Sequence, residues 1–148
     1  MLKESLNKWL KIDPISIIKQ ILSDRAIINW IEEANRNQLL EGKNSFDIKL
    51  SDIGGGYSDF TLQLHPEKQR DVVNLYDTGE FHKSITVTVD TSLLQIDADP
   101  IKTDEDGNET DLFKEWGEDI IGLNEENLQQ LIEVIKTKLI IEILKQVK

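Results

Sequence analysis

Between positions 84 and 97 the chain reads Ser-Ile-Thr-Val-Thr-Val-Asp-Thr-Ser-Leu-Leu-Gln-Ile-Asp, and this stretch limits the possible folds more than any other. Ile85, Val87 and Val89 alternate with Thr86 and Thr88, a period of two that puts β-branched residues on one face of a strand. Asp90-Thr91-Ser92 supplies turn chemistry, and Leu94 and Ile96 resume the alternation. The pattern predicts a β-hairpin at about 84–97 with one buried face and one wet face, as antiparallel sheets permit. A hairpin alone is marginal in water, so other elements must cover its apolar side.

Both ends of the chain switch to helical spacing. Leu2, Leu6, Trp9 and Leu10 predict a first short helix ending near Asp13-Pro14. Pro14 suits the first turn of a second helix whose apolar face holds Ile15, Ile17, Ile18, Ile21 and Leu22. Ser23 or Asp24 caps a third, with Ile27, Ile28, Trp30, Ile31 and Ala34 inward and Arg25, Glu32, Glu33 and Arg36 mostly outward. That helix runs to about Leu40, with Gly42 just past its end. At the other terminus, Asn124 or Glu125 starts a long amphipathic helix to about Lys145. Its apolar stripe holds Leu128, Leu131, Ile132, Ile135, Leu139, Ile140, Ile143 and Leu144. Between hairpin and helices, Phe46, Ile48 and Leu50 and then Phe60, Leu62 and Leu64 alternate weakly, and Val72, Val73 and Leu75 form a further strand candidate. Gly54-Gly55-Gly56 and His65-Pro66 read as turns.

The fold class is α+β: N-terminal helices (1–42), a small, mostly antiparallel sheet region (43–97), an acidic loop (98–115) and the C-terminal helix (124–146) in a single domain spanning 1–148. A chain of 148 residues with 39% hydrophobic and 30% charged residues suits one globular domain. It has no Cys, which excludes thiolate metal sites, disulfides and a Cys nucleophile. No run approaches a membrane span of roughly 20 apolar residues, and residues 1–14 lack the apolar core of a signal peptide. The net charge of −11 is concentrated: residues 97–127 hold twelve acids against Lys102 and Lys114. Such a block repels phosphates and argues against tight nucleic-acid binding; it reads first as a solvated loop.

Asn74-Leu75-Tyr76-Asp77-Thr78-Gly79-Glu80-Phe81 carries the Asp-Thr-Gly of aspartic proteases, and Ile120-Ile121-Gly122 resembles their later apolar-apolar-Gly element. One such motif per chain implies a homodimer whose two carboxylates share a proton. Glu80 stands where that loop ordinarily has a small residue, and it adds like charge beside the dyad. The helical termini also conflict with an all-β enzyme. A structural reading uses the same residues as a capping box, with Asp77 capping a short helix and Glu80 reaching back. Phe81, Ser84 and Ile85 then share one face of a turn or two leading into the hairpin.

The order of landmarks supports a third reading. Gln38-Leu39 and Gly42 precede Gly56-Tyr57-Ser58 and Thr61. Leu75-Tyr76-Asp77-Thr78-Gly79-Glu80-Phe81-His82-Lys83-Ser84 follows, and Trp116-Gly117 and Ile120-Ile121-Gly122-Leu123 stand ahead of the terminal helix. Over roughly residues 35–145 this resembles the small tailed-phage and prophage virion morphogenesis proteins of the tail-completion or neck class. The resemblance implies a non-enzymatic virion component assembled in the bacterial host cytoplasm. It implies partnership with further copies of itself in a ring and with neighbouring neck or tail proteins. It implies no cofactor, no membrane and no sequence-specific nucleic-acid binding. The motif positions Gly42, Tyr57, Ser58, Asp77, Thr78, Gly79, Phe81, Ser84, Gly122 and Leu123 become structural or interface residues. The acidic insertion at 97–111 departs from the commoner pattern; lining a channel, it would repel passing DNA. The alternatives are an acidic antitoxin or immunity-type protein that masks a basic partner, and the homodimeric protease built on Asp77.

Other constellations are weaker. Asp104-Glu105-Asp106-Gly107-Asn108 fails the calcium-loop pattern, because Lys102 and Phe113 fall at the first and last ligand positions. His65 and His82 lack metal-ligand spacing and read as solvent-facing. The three glycines lack a phosphate loop's Lys-Ser/Thr. Ser58 and Ser84 lack a nucleophile elbow, and Trp9, Trp30 and Trp116 sit among apolar neighbours as packing residues.

Overall fold

The computed structural model describes residues 1–90 and 94–148. Three helices open the chain: α1 (Leu2–Leu10), α2 (Pro14–Leu22) and α3 (Arg25–Leu40). Short helices follow at α4 (Leu50–Gly54), α5 (Asp59–Leu64) and α6 (Glu80–Ser84). Strands β1 (Thr86–Val89) and β2 (Leu94–Asp97) pair antiparallel, and β3 (Ile101–Thr103) and β4 (Glu109–Asp111) form a second antiparallel pair. The chain ends with α7 (Leu112–Trp116), a 3₁₀ turn at Glu118–Ile120 and the long α8 (Glu125–Val147). The class is α+β.

Local chemistry explains the helix boundaries. Pro14 opens α2 behind Asp13, whose carboxylate accepts from the Ser16 amide. Asp24 caps α3 by accepting from the Ala26 amide at 2.9 Å. At the far end Gly42, with φ at 76°, donates to Leu39 O while Lys43 N donates to Gln38 O. That pairing is the Schellman closure, and it favours Gly because a left-handed residue carries a Cβ penalty. Asn124 caps α8 by accepting from the Asn127 amide at 3.0 Å.

The hairpin at 84–97 forms in the register Val87 opposite Ile96 and Val89 opposite Leu94. The turn expected at Asp90-Thr91-Ser92 lies partly outside the described residues. Its apolar face joins two cores. Ile85 is buried with Leu39, Leu50, Val73, Phe81, Leu112 and Ile120, and Val87 with Ile27, Ile31 and Leu131. Ile96 packs against both groups.

Several expectations are corrected. Phe46 and Ile48 lie in a turn closed by a Lys43–Lys49 bridge, with no strand, and Leu50 instead starts α4. The alternation at Phe60, Leu62 and Leu64 is a helical turn because the Ser58 hydroxyl accepts from Thr61 N and nucleates α5. Val72, Val73 and Leu75 run as irregular backbone, with Leu75 at a φ of 55° that a strand does not allow. The acidic segment holds a hairpin, β3–β4. Asp104 stabilises its turn by accepting from the amides of Asp106 and Asn108 at 3.0 and 2.8 Å. Among the described residues the small antiparallel sheet region consists of two separate two-stranded sheets.

Two α3 residues also break the outward expectation. Arg36 donates to His82 O at 2.8 Å and Ile85 O at 3.1 Å, and Glu32 accepts from Val87 N at 3.2 Å. These charged side chains grip the entry to the hairpin across the seam between the cores.

Beside them, side-chain amides do the work of a missing strand. Residues 120–124 carry backbone groups that must be paired when buried. Asn35, fully buried, donates to Ile120 O at 3.4 Å and accepts from Gly122 N at 2.9 Å. Gln38 donates to Gly122 O and accepts from Asn124 N, both at 2.8 Å. Asn35→Ala leaves one buried carbonyl and one buried amide without partners. We predict a loss of about 2–4 kcal/mol, read as a lower urea midpoint with unchanged slope; Gln38→Ala should act in the same direction.

Candidate functional site

Asp77 of the Asp-Thr-Gly segment lines a cleft of about 420 Å³ between α5, β3–β4 and α7. Its floor is apolar, with Val73, Leu75, Leu112 and Trp116, and its rim is charged, with Lys68 and Lys102 facing Asp77, Asp104 and Glu115. A second hollow of about 390 Å³ shares His65, Lys68, Tyr76 and Asp77 with it.

Asp77 is half exposed and pairs with Lys102 Nζ at 2.8 Å. The Lys102 ammonium holds its carboxyl below the usual range, through both the hydrogen bond and charge attraction. Lys68 adds to this field, donates to Tyr76 O at 3.1 Å and sits 4.7 Å above the Tyr57 ring. The capping box is therefore corrected. Gly79, at φ 84°, is the N-cap of α6 with no side-chain cap, and Thr78 Oγ1 accepts from Glu80 N at 3.4 Å. Asp77 turns instead to the β3 lysine, a partner 25 residues on that no local spacing suggests.

The other motif residues hold the scaffold around this cleft. A Cβ at Gly79 would meet the Tyr76 hydroxyl at 2.9 Å, so ring and turn demand a glycine. Phe81 is buried, and the Ser84 hydroxyl donates to Phe81 O at 2.7 Å and accepts from Asp99 N at 2.9 Å. Ser84 thus ties the end of α6 to the connection that leads into β3. Tyr57 donates to Asn74 Oδ1 at 3.1 Å, its amide donates to Arg70 O, and Arg70 pairs with Asp59. Ser58 caps α5 on the cleft wall. Gly42, Gly122 and Leu123 lie away from the cleft. Gly42 closes α3, Gly122 sits in the strap held by Asn35 and Gln38, and Leu123 packs against the second core. Sequence reading missed Lys102, whose isolation amid acids was the available signal, and Lys68 and Asn35, for which there was none.

His82 is corrected from solvent-facing to buried, at 3% exposure. Its Nε2 lies 2.8 Å from Asn74 O, so the ring donates there, and it stacks edge-on against Tyr76 and Phe81. Burial pulls its pKa below the ordinary value, the Asn74 carbonyl opposes this, and Arg36 adds to the lowering. His65 is partly exposed and lies 3.3 Å from Glu67.

Among the described residues no group of His, Asp or Glu is placed to hold a metal, and no helix is long and apolar enough to cross a membrane. No protein-family model, no curated protein and no solved structure matches this chain.

The arrangement offers an apolar floor with a paired, charged rim, the composition of a protein contact surface. Asp77→Asn keeps the turn and removes one exposed pair, so it should cost under about 1 kcal/mol in urea unfolding. A second outcome concerns pH. A histidine whose folded pKa is depressed stabilises the fold above its unfolded value of about 6.5. That contribution is lost as pH falls from there toward the folded pKa. Stability should therefore decline between pH 7 and pH 5, and less steeply in His82→Gln, which retains a donor for Asn74 O.

Proposed function

We propose that this chain is a non-enzymatic virion structural protein of a tailed phage or prophage. It acts in tail completion or head–tail joining as a ring subunit, with other copies of itself and neighbouring neck or tail proteins as partners. The observation that carries the reading is a surface built to be covered. Leu2, Trp9 and Leu10 of α1 are 90%, 51% and 73% exposed, and Ile140, Ile141 and Leu144 of α8 are about half exposed. No residue of α1 is buried, and its helical neighbour is the C-terminal part of α8. Ile140 and Leu144 of the expected apolar stripe thus stay in water, which disfavours exposed apolar surface, and a partner subunit would cover it.

Two further features support the reading. The landmark order from Gln38 to Leu123 resembles the neck and tail-completion class. The motif residues around Asp77 make turns, ties and packing contacts, with Asp77 itself in an ion pair. A carboxylate held ionised by an ammonium is poorly suited to the shared proton of an aspartic dyad. The acidic β3–β4 hairpin also favours a second reading, an immunity-type protein that covers a basic partner.

The deciding experiment is composition and phenotype of the particle. Purified virions should contain the chain at a fixed copy number by quantitative mass spectrometry, and deletion of its gene should leave filled heads and tails unjoined. Its absence from particles, with protection of cells against a co-expressed basic toxin, would replace the virion reading by the second one.

A further inference from the structure

The negative charge of this protein conceals a basic end. Residues 134–148 carry Lys136, Lys138, Lys145 and Lys148 against Glu142, and residues 1–11 carry Lys3, Lys8 and Lys11 against Glu4. These two segments meet in space: α1 packs on α8, and Lys8 Nζ donates to Lys148 O at 3.2 Å. The exposed leucines and isoleucines of the two helices lie among these lysines, so the end is basic and apolar together.

A second surface has the complementary character. Residues 101–119 carry eight acids against Lys102 and Lys114. Every side chain from Ile101 to Glu109 is exposed. Beside this hairpin lies the cleft of about 420 Å³ with its apolar floor. Of α5, Thr61 lines the cleft, and its neighbours in the helix Phe60 and Leu64 are 69% and 61% exposed. This face is therefore acidic and apolar together.

We propose that copies of this chain join head to tail, the basic apolar end of α1 and α8 seated on the acidic face around the cleft of the next copy. The inference rests on the ring-subunit reading and names the contact that would build it. Charge complementarity selects a second copy as the occupant. Each surface buries apolar residues that the isolated chain leaves wet, and each cancels the self-repulsion of its own charges. Two different surfaces of one chain meeting in this way make a heterologous contact, the kind that closes into rings when the rotation permits. The acidic hairpin then serves the subunit contact, which removes it from the lining of a DNA channel.

Two variants test the contact without touching a buried group. One is Lys3→Glu with Lys11→Glu, on α1 and just past its end. The other is Glu105→Lys with Asp106→Lys, in the β3–β4 turn, where the turn's hydrogen bonds run to Asp104 instead. Sedimentation velocity across a concentration series should show wild-type assemblies that weaken about tenfold between 50 and 500 mM salt, as screening of close charges requires. Each variant alone, folded by circular dichroism, should associate at least tenfold more weakly. An equimolar mixture should recover assembly, because the reversed end of one fits the reversed face of the other.

A wild-type chain that stays monomeric overturns the proposal. So do single variants that assemble as the wild type does, or a mixture that recovers nothing. Presence in virions with no charge-dependent self-association would sink this contact and leave the virion role standing. Charge-dependent assembly of a chain absent from virions would do the reverse.

Discussion

The rest of the fold depends on the side-chain amides of Asn35 and Gln38. A single helix face cannot pair with an extended segment through its backbone, because the helix has already used its own amides and carbonyls. An Asn or Gln side chain carries one donor group and one acceptor on the same planar amide. Asn35 brackets Ile120 and Gly122, and Gln38 brackets Gly122 and Asn124. The strap is thereby held like a strand against a helix. Its placement puts Ile120 in one core and Leu123 against the other, and sets the start of α8. Gln38 also accepts from Asn127 Nδ2, and Asn124 donates to Asp47 Oδ1, so the 44–48 turn joins the same network.

Around that strap, the charged residues of α3 fix the hairpin, and the hairpin's apolar face couples the two cores. Arg36 and Glu32 are partly buried ions whose charges are compensated by each other and by backbone dipoles, which keeps their desolvation tolerable. The α6 turn sits at this junction. Phe81 fills the core, His82 closes onto Asn74, and Ser84 fastens the route to β3. The tripeptide Asp77-Thr78-Gly79 leads into this turn, with Asp77 paired to Lys102 at the cleft and Gly79 at the N-cap of α6.

The proposed subunit contact rests on what this frame leaves uncovered. Core residues gather around α3 and the hairpin, while α1, the C-terminal part of α8 and the α5 wall keep apolar side chains in water. The charges are sorted as well, with lysines around one exposed apolar area and acids around the other. Such sorting costs stability in an isolated subunit through repulsion within each patch. It becomes favourable when the two patches of different copies face one another.

The sequence by itself determined the elements whose signal is local. Period-two alternation at Ile85–Val89 made a hairpin, and 3.6-residue spacing made the terminal helices. Asp24 and Asn124 capped where caps were needed, and Gly42 closed α3. Each of these outcomes is decided within a few residues, so the chain order contains it. Tertiary structure decided everything that needs a distant partner. By contrast, the helix at 60–64 has a local cause, the Ser58 hydroxyl accepting from Thr61 N three residues on, which the alternating apolar pattern obscured. Asp77 pairs with Lys102 because α6 begins only at Glu80 with Gly79 as its N-cap, which leaves Asp77 two residues short of the capping position and beside β3. His82 was drawn inside by Asn74, Tyr76 and Phe81, and Asn35, on a helix face that reads as ordinary, acquired two partners some 85 residues away. Long-range pairing leaves no periodicity in the sequence, and only the folded chain reveals which polar side chains carry it.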